Sequence, residues 1–235
     1  MEANESGHQK GKGADLHMTE PTERAVQKEQ CKEKEQRQRA LHVPSRMGHR
    51  VERILIDGGM SGRVACNGMR KDSPPSHSYL IGKTLAEELE RYGYEVLFSG
   101  DVPELNDHGG AGRPGLCATI AKRWGADVVL RICVRASELP SVGTVGVMVF
   151  KKNTEAWCMA QSVLGAVESG SNLDSQGITA AQRFLLLRRA ICPCAILILG
   201  LPFRQKEFLF ETEIKNYAEC IAEGLHSWAQ QPPTK

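Results

Sequence analysis

From Val51 onward, short apolar runs alternate with amphipathic stretches of helical period, and no other feature limits the possible folds as strongly. Arg53–Asp57 (RILID) and residues 95–99 (EVLFS), 128–134 (VVLRICV), 145–150 (VGVMVF) and 195–199 (AILIL) are strand-sized and largely apolar. That is the pattern of strands covered on both faces. Between them, residues 78–92, 116–124, 154–167 and 179–191 read as helices, and Glu211–Ala229 as a closing one. In the first, Leu80, Ile81, Leu85, Ala86 and Leu89 share one face, while Lys83, Glu87, Glu90 and Arg91 share the other. Gly93 and Gly125 stand where helix-ending glycines belong, Thr154 where an N-cap does, and Pro193 where a helix must stop. Strands alternating with crossover helices imply an α/β fold. It has three layers, αβα, around a mostly parallel twisted sheet. Sites in such folds form beyond the carboxyl ends of the strands. That rule selects the loop after Asp57, residues 133–136, the loop after Phe150, and the residues following Leu199.

The rest of the chain differs. Residues 1–50 read as a disordered charged tail, 51–231 as the domain, and 232–235 as a short C-terminal tail. Residues 27–39 (QKEQCKEKEQRQR) mix both charge signs and offer no apolar stripe to bury. Met47 directly precedes GHRVERILID, so a start at Met47 is an alternative that removes the tail. The N-terminus MEANESGHQKGKG has no basic segment followed by an apolar one, which makes the cytoplasm the default compartment. No apolar run approaches the roughly 18 residues of a membrane span. A net charge of +2 gives no strong overall field toward nucleic acid or an anionic membrane. The eight cysteines contain no CxxC pair, and buried free thiols are the expected reading. Gly58-Gly59 and Gly109-Gly110 lack the order of a phosphate loop. Arg183, Arg188 and Arg189 form the most basic local cluster and read as a solvated helix face.

Five segments, in order, resemble the zinc-dependent N-acetylmuramoyl-L-alanine amidases, which cleave peptidoglycan between the lactyl group and the first residue of the stem peptide. RILIDGGMSG (53–62) looks like the family's first strand and its I-D-x-G-H-G-G loop. LAEELERYGYEVLF (85–98) and GADVVLRI (125–132) look like its first-helix-to-strand segment and its A-D-l-f-i-S-I stretch. Leu187-Arg188, then Pro193 and AILIL (195–199), looks like L-R-x(4)-P-A-V-L-V-E, and YAECIAEGL (217–225) like the closing helix.

The resemblance implies a zinc ion held by a His in the first loop, a Glu at the start of the first helix and a His after S-I. A second Glu, at the end of the penultimate strand, serves as general base. Zinc with three protein ligands and one open position brings its bound water to a pKa near 7. Here Met60 stands at the first His, and a neutral thioether is not a usual zinc ligand. The Glu falls on Pro74 without gaps; with a gap, Asp72 or His77 could reach. Cys133 stands at the second His, Arg135 at a family Asn, and Leu199, or Ile198 with one gap, at the base. Cys133, Asp72 and His77 are therefore the candidate metal ligands, with His108 as a possible addition. Cys133 with His77 would be the pair for thiol chemistry. Arg188 and Arg135 are the candidate substrate contacts. The expectation is a degenerate amidase domain with impaired chemistry, still binding peptidoglycan fragments or a cell-wall protein partner, with zinc weak or absent. The alternatives are an active divergent amidase and an interaction module in wall remodelling. The family acts at the cell wall, in tension with the cytoplasmic default.

Overall fold

The computed structural model describes residues 51–59, 76–107, 112–137, 141–202 and 209–231. In chain order the elements are β1 (Arg53–Asp57), α1 (His77–Arg91), β2 (Glu95–Phe98), a 3₁₀ turn (Ser99–Asp101), α2 (Pro103–Asp107), α3 (Arg113–Trp124) and β3 (Val128–Ala136). They continue with β4 (Gly143–Val149), α4 (Glu155–Gly170), β5 (Leu173–Ala180), α5 (Leu185–Arg189), β6 (Cys194–Leu201) and α6 (Glu211–Ala229). The six strands form one sheet in the order β2-β1-β3-β6-β4-β5. Helices lie on both faces, as the alternation predicts.

Strand parity sorts the side chains. Ile54 and Ile56 of β1, Leu130 and Ile132 of β3, and Leu197 and Leu199 of β6 point to the face covered by α1, α4 and α6. Ile81, Leu85 and Leu89 of α1 meet them there, with Met159 and Val163 of α4 and Ile221 and Leu225 of α6. The periodic apolar stripes read from the sequence are thus the buried stripes. Leu55, Val129 and Ile196 point the other way, toward Leu105 of α2, Cys117 and Ile120 of α3, and Leu186 and Leu187 of α5. Ser76 caps α1 by accepting from the Tyr79 N–H at 3.2 Å, and Thr154 caps α4 by accepting from Trp157 N–H at 3.3 Å. Gly125 ends α3 in the left-handed conformation, with φ of +77°.

Two expectations need correction. β4 pairs antiparallel with β6, Val145 opposite Leu199 and Val149 opposite Ala195. Only six residues, 137–142, separate β3 from β4. A parallel crossover takes about a dozen or more, so the chain has to reverse. The loop after Phe150 therefore lies at the end of the sheet away from Asp57 and Ala136. Residues 179–191 are not one helix either. Residues up to Ala180 belong to β5, parallel to β4, and only Leu185–Arg189 is helical. β5 (LDSQGITA) carries just two large apolar residues and a register irregularity, so it has no strand-like pattern to read. It escapes the usual pattern because it is an edge strand with mostly exposed side chains.

Candidate functional site

β1, β2, β3 and β6 run parallel and deliver their carboxyl ends to one side of the sheet. The last residue of β1, Asp57, is fully buried there. An ionised carboxylate in that position needs charge and hydrogen-bond partners, and four elements supply them. Oδ1 accepts from Gly59 N–H at 3.1 Å, from the Ser99 hydroxyl at 3.0 Å, and from Arg113 Nη2 at 3.0 Å. Oδ2 accepts from Arg131 Nη1 at 3.1 Å. Ser99 lies in the turn after β2, Arg113 opens α3, and Arg131 is midway along β3.

Arg113 is as buried as its partner, with 4% of its side chain exposed. Its Nη2 also donates to the Gly59 carbonyl at 2.7 Å and to Ser99 Oγ at 3.1 Å, and its Nη1 donates to the Leu105 carbonyl. Burial alone would push the Asp57 carboxyl up. The guanidiniums of Arg131 and then Arg113, with the Gly59 N–H, outweigh it and hold the carboxyl below the usual range. Burial likewise pushes Arg131 down, and Asp57 followed by Cys133 more than restores it. One carboxylate against two guanidiniums leaves a net charge of +1 in the cluster.

Gly59 gives its N–H and carbonyl to this cluster, and Gly58 packs against the start of α1. Gly59 turns with φ of +78°, in the left-handed region that favours glycine. A Cβ on Gly58 would meet the Ser78 carbonyl at 2.8 Å and the Phe98 ring at 2.9 Å, so no larger residue fits. Ser78 Oγ accepts from Val134 N–H at 2.8 Å, which seats the N-terminus of α1 on the end of β3.

The sequence-selected residues distribute unevenly around this centre. Cys133 is half-buried on the same face of β3 as Arg131, close enough to interact electrostatically with that guanidinium. Arg135 is exposed two residues farther along. His77 is the first residue of α1, next to Ser78 at the end of β3. Leu199 pairs across β3 from Val134, is fully buried, and points into the apolar core on the opposite face from Cys133. Ile198 is the residue opposite Cys133 on the shared face. Arg188 is exposed on α5, whose flanking residues Ala180 and Cys194 lie at the other end of the sheet. Met60, Asp72, Pro74 and His108 lie outside the described residues.

Six described cysteines are free thiols. Burial pushes Cys117 and Cys194 well up and Cys192 to about 11, which keeps these thiols protonated at neutral pH.

Among the described residues no group of three or more His, Cys, Asp and Glu side chains is placed to hold a metal ion, while Met60, Asp72, Pro74 and His108 lie outside them. Cys133, which the resemblance sets at the second His, lies beside a guanidinium, which disfavours a dication there, and Leu199 and Ile198, which it sets at the base, are aliphatic. Sequence reading missed Arg113 and the role of Arg131. Both carried a signal. Arg113 puts a cation at a helix N-terminus, where the dipole disfavours it. Arg131 interrupts the apolar run VVLRICV. Each needed a buried counter-charge, and Asp57 is that charge.

No family model matches the chain, and no curated protein sequence does. Solved structures do. The N-acetylmuramoyl-L-alanine amidase AmiC2 of Nostoc punctiforme is similar with a TM-score of 0.60 at 19% identity, over 77% of this chain and 98% of that one. An N-acetylmuramoyl-L-alanine amidase from Clostridium difficile 630 is similar with a TM-score of 0.59 at 22% identity, over 77% and 97%. The CwlD amidase from Clostridioides difficile, solved in complex with the GerS lipoprotein, gives 0.60 at 16% identity, over 75% and 98%. At these identities the likeness is one of fold, and the chain has the α/β fold of the N-acetylmuramoyl-L-alanine amidases across nearly their whole length.

Proposed function

We propose that this chain is an amidase-like domain with impaired hydrolytic chemistry, which binds peptidoglycan stem peptide at the carboxyl ends of β1 and β3. The observation that carries this reading is the Asp57–Arg113–Arg131 cluster, with its net positive charge, beside Cys133. Stem peptides carry carboxylates, and a planar guanidinium pairs with a carboxylate through two parallel hydrogen bonds. Arg131 is 23% exposed, and Arg135 adds a second, exposed guanidinium on the same strand face. General acid–base help is worth about 10²–10⁴-fold in rate, and aliphatic Leu199 or Ile198 cannot supply it. A soluble muramoyl peptide titrated into the full chain tests the reading. Binding that weakens about tenfold in Arg135→Ala, with no release of stem peptide from peptidoglycan, is the expected result. Turnover of peptidoglycan by the unmodified chain would overturn it.

One observation favours a second reading. The hydrogen bond from Val134 N–H to Ser78 Oγ brings the segment of His77 to that of Cys133. An active divergent amidase could then draw on His77, Cys133 and Asp72, and Cys133→Ser would abolish both metal binding and activity. The complex of the CwlD amidase with GerS supports a third use of the same fold, the binding of a protein partner.

A further inference from the structure

The end of the sheet away from Asp57 carries three of the large apolar side chains left in solvent: Phe150 at 39% exposure, Phe184 at 45% and Ile191 at 67%. They come from separate segments that the sheet register draws together. Val149 pairs with Ala180 of β5 and with Ala195 of β6, and the Ala181 N–H donates to the Val149 carbonyl at 2.8 Å. The Phe184 N–H donates back to the Ala181 carbonyl at 3.3 Å. Phe150 follows Val149, and Ile191 lies three residues before the start of β6. The partly buried Met148, Ala181, Ala190 and Cys192 beside them pack against the core beneath α3 and α5, so the patch sits on a firm base.

The same segments are basic. Lys151, Arg183 and Arg188 of these segments are exposed, and Lys152 lies 5.8 Å from the Trp157 ring centre. Within residues 150–155 and 180–194 the only carboxylate is Glu155, in the first turn of α4. The neighbouring Asp127 accepts from the backbone N–H groups of Glu52 and Arg53 and keeps its charge, so Lys151, Lys152, Arg183, Arg188 and Arg189 stand against Glu155 and Asp127. A whole-chain charge of +2 therefore conceals a local excess of cations around exposed aromatic and aliphatic tips.

We infer that this end of the sheet is a docking surface for an anionic lipid bilayer. Charge complementarity selects anionic headgroups. Projecting tips suit the boundary between headgroups and acyl chains, into which short apolar groups insert. A peptide or helix would instead need a groove with apolar anchors. Two cavities among the described residues, between α1 and α6 and between the end of α4 and the start of α6, are lined by other residues. The proposal does not depend on the function proposed for the opposite end of the sheet.

Co-sedimentation of the full chain with phosphatidylglycerol–phosphatidylcholine vesicles tests it, against vesicles of phosphatidylcholine alone. The chain should bind the anionic vesicles, less as salt is raised, and should leave the neutral ones in the supernatant. Phe184→Ser with Ile191→Ser should weaken partitioning by at least about tenfold. Lys151→Glu with Arg183→Glu should weaken it by at least roughly fivefold per cation removed. All four positions are exposed, and thermal unfolding of both variants should match the parent chain. Equal binding to neutral vesicles, no binding to anionic ones, or binding unchanged in both variants would overturn the proposal. So would capture of the chain on immobilised polyglutamate without vesicle binding, which would reassign the patch to an acidic protein.

Discussion

On the face of the sheet covered by α1, α4 and α6, β3 and β6 present only aliphatic side chains to the core: Val128, Leu130 and Ile132 from one, Ala195, Leu197, Leu199 and Leu201 from the other. On the face covered by α2, α3 and α5, the same two strands present Arg131, Cys133 and Cys194 among their apolar residues, and β1 ends there in Asp57. Parity makes this division strict, because a strand residue cannot change face without a register shift. The lesson concerns Leu199. The family resemblance sets it at a general-base position, yet its side chain belongs to the face that holds the fold. The face that carries charge is the one where Cys133, Arg131 and Asp57 meet. A reading that treats Cys133 and Leu199 as two halves of one vanished site joins side chains that point in opposite directions, whereas Ile198, the one-gap alternative, shares the face of Cys133.

Substitutions at these positions can break or sharpen the contrast. The largest effect should come from Leu199→Glu. A fully buried carboxylate with no partner has its pKa raised by up to about 3–5 units, so it takes up a proton on folding at neutral pH, a cost of roughly 4 kcal/mol to which the lost Leu199 packing adds. Urea unfolding should show a loss of that order or an unfolded chain, and peptidoglycan hydrolysis should not appear. A folded variant with new activity would place the Leu199 side chain in the site after all.

Next in size is Asp57→Ala. It strands the buried guanidinium of Arg113, and breaking such a pair costs about 3–5 kcal/mol. Urea midpoints at neutral pH measure it, and a change under about 1 kcal/mol would show the cluster to be peripheral. Asp57 also sets an acid limit. Its carboxyl is held below the usual range in the folded chain, by Arg131 and Arg113 against the opposing effect of burial. Its contribution is therefore complete above the unfolded value near 3.9 and lost as pH falls through the lower folded value. Stability of the parent chain should fall over that acid window, and Asp57→Asn should flatten the fall.

The smallest effect should be that of Cys133→Ser. The residue is half-buried and near-isosteric with serine, so unfolding free energy should change by no more than about 1 kcal/mol. A larger loss would mean that the Cys133 sulfur organises the strand end.

Much of the scaffold was legible because its signals are local. The bounds of β1 and α6 match the structure, since RILID is a bounded apolar run and Ile214, Tyr217, Ile221, Leu225 and Trp228 recur at helical spacing. β5 was hidden because an edge strand rich in Asp, Ser and Gln shows neither alternation nor an apolar run. The reversal of β4 follows from a connection length, which periodicity does not reveal. At the site, Asp57 was visible as a strand end. Arg113 was not, because it lies 56 residues away in sequence and meets Asp57 only once β1, the turn after β2 and α3 are assembled. Long-range charge pairing is invisible to spacing, although the unfavourable position of Arg113 at a helix start hinted at a partner. The patch of Phe150, Phe184 and Ile191 was hidden in the same way, because register rather than sequence brings it together.

The central proposal is that guanidinium chemistry, rather than a zinc ion, serves the strand ends around Cys133. The most direct measurement is the zinc content of the full chain, purified without added metal, beside that of Cys133→Ser. The account predicts far less than one zinc per chain in both, with no difference between them. One zinc per chain in the parent protein, lost in Cys133→Ser, would contradict it.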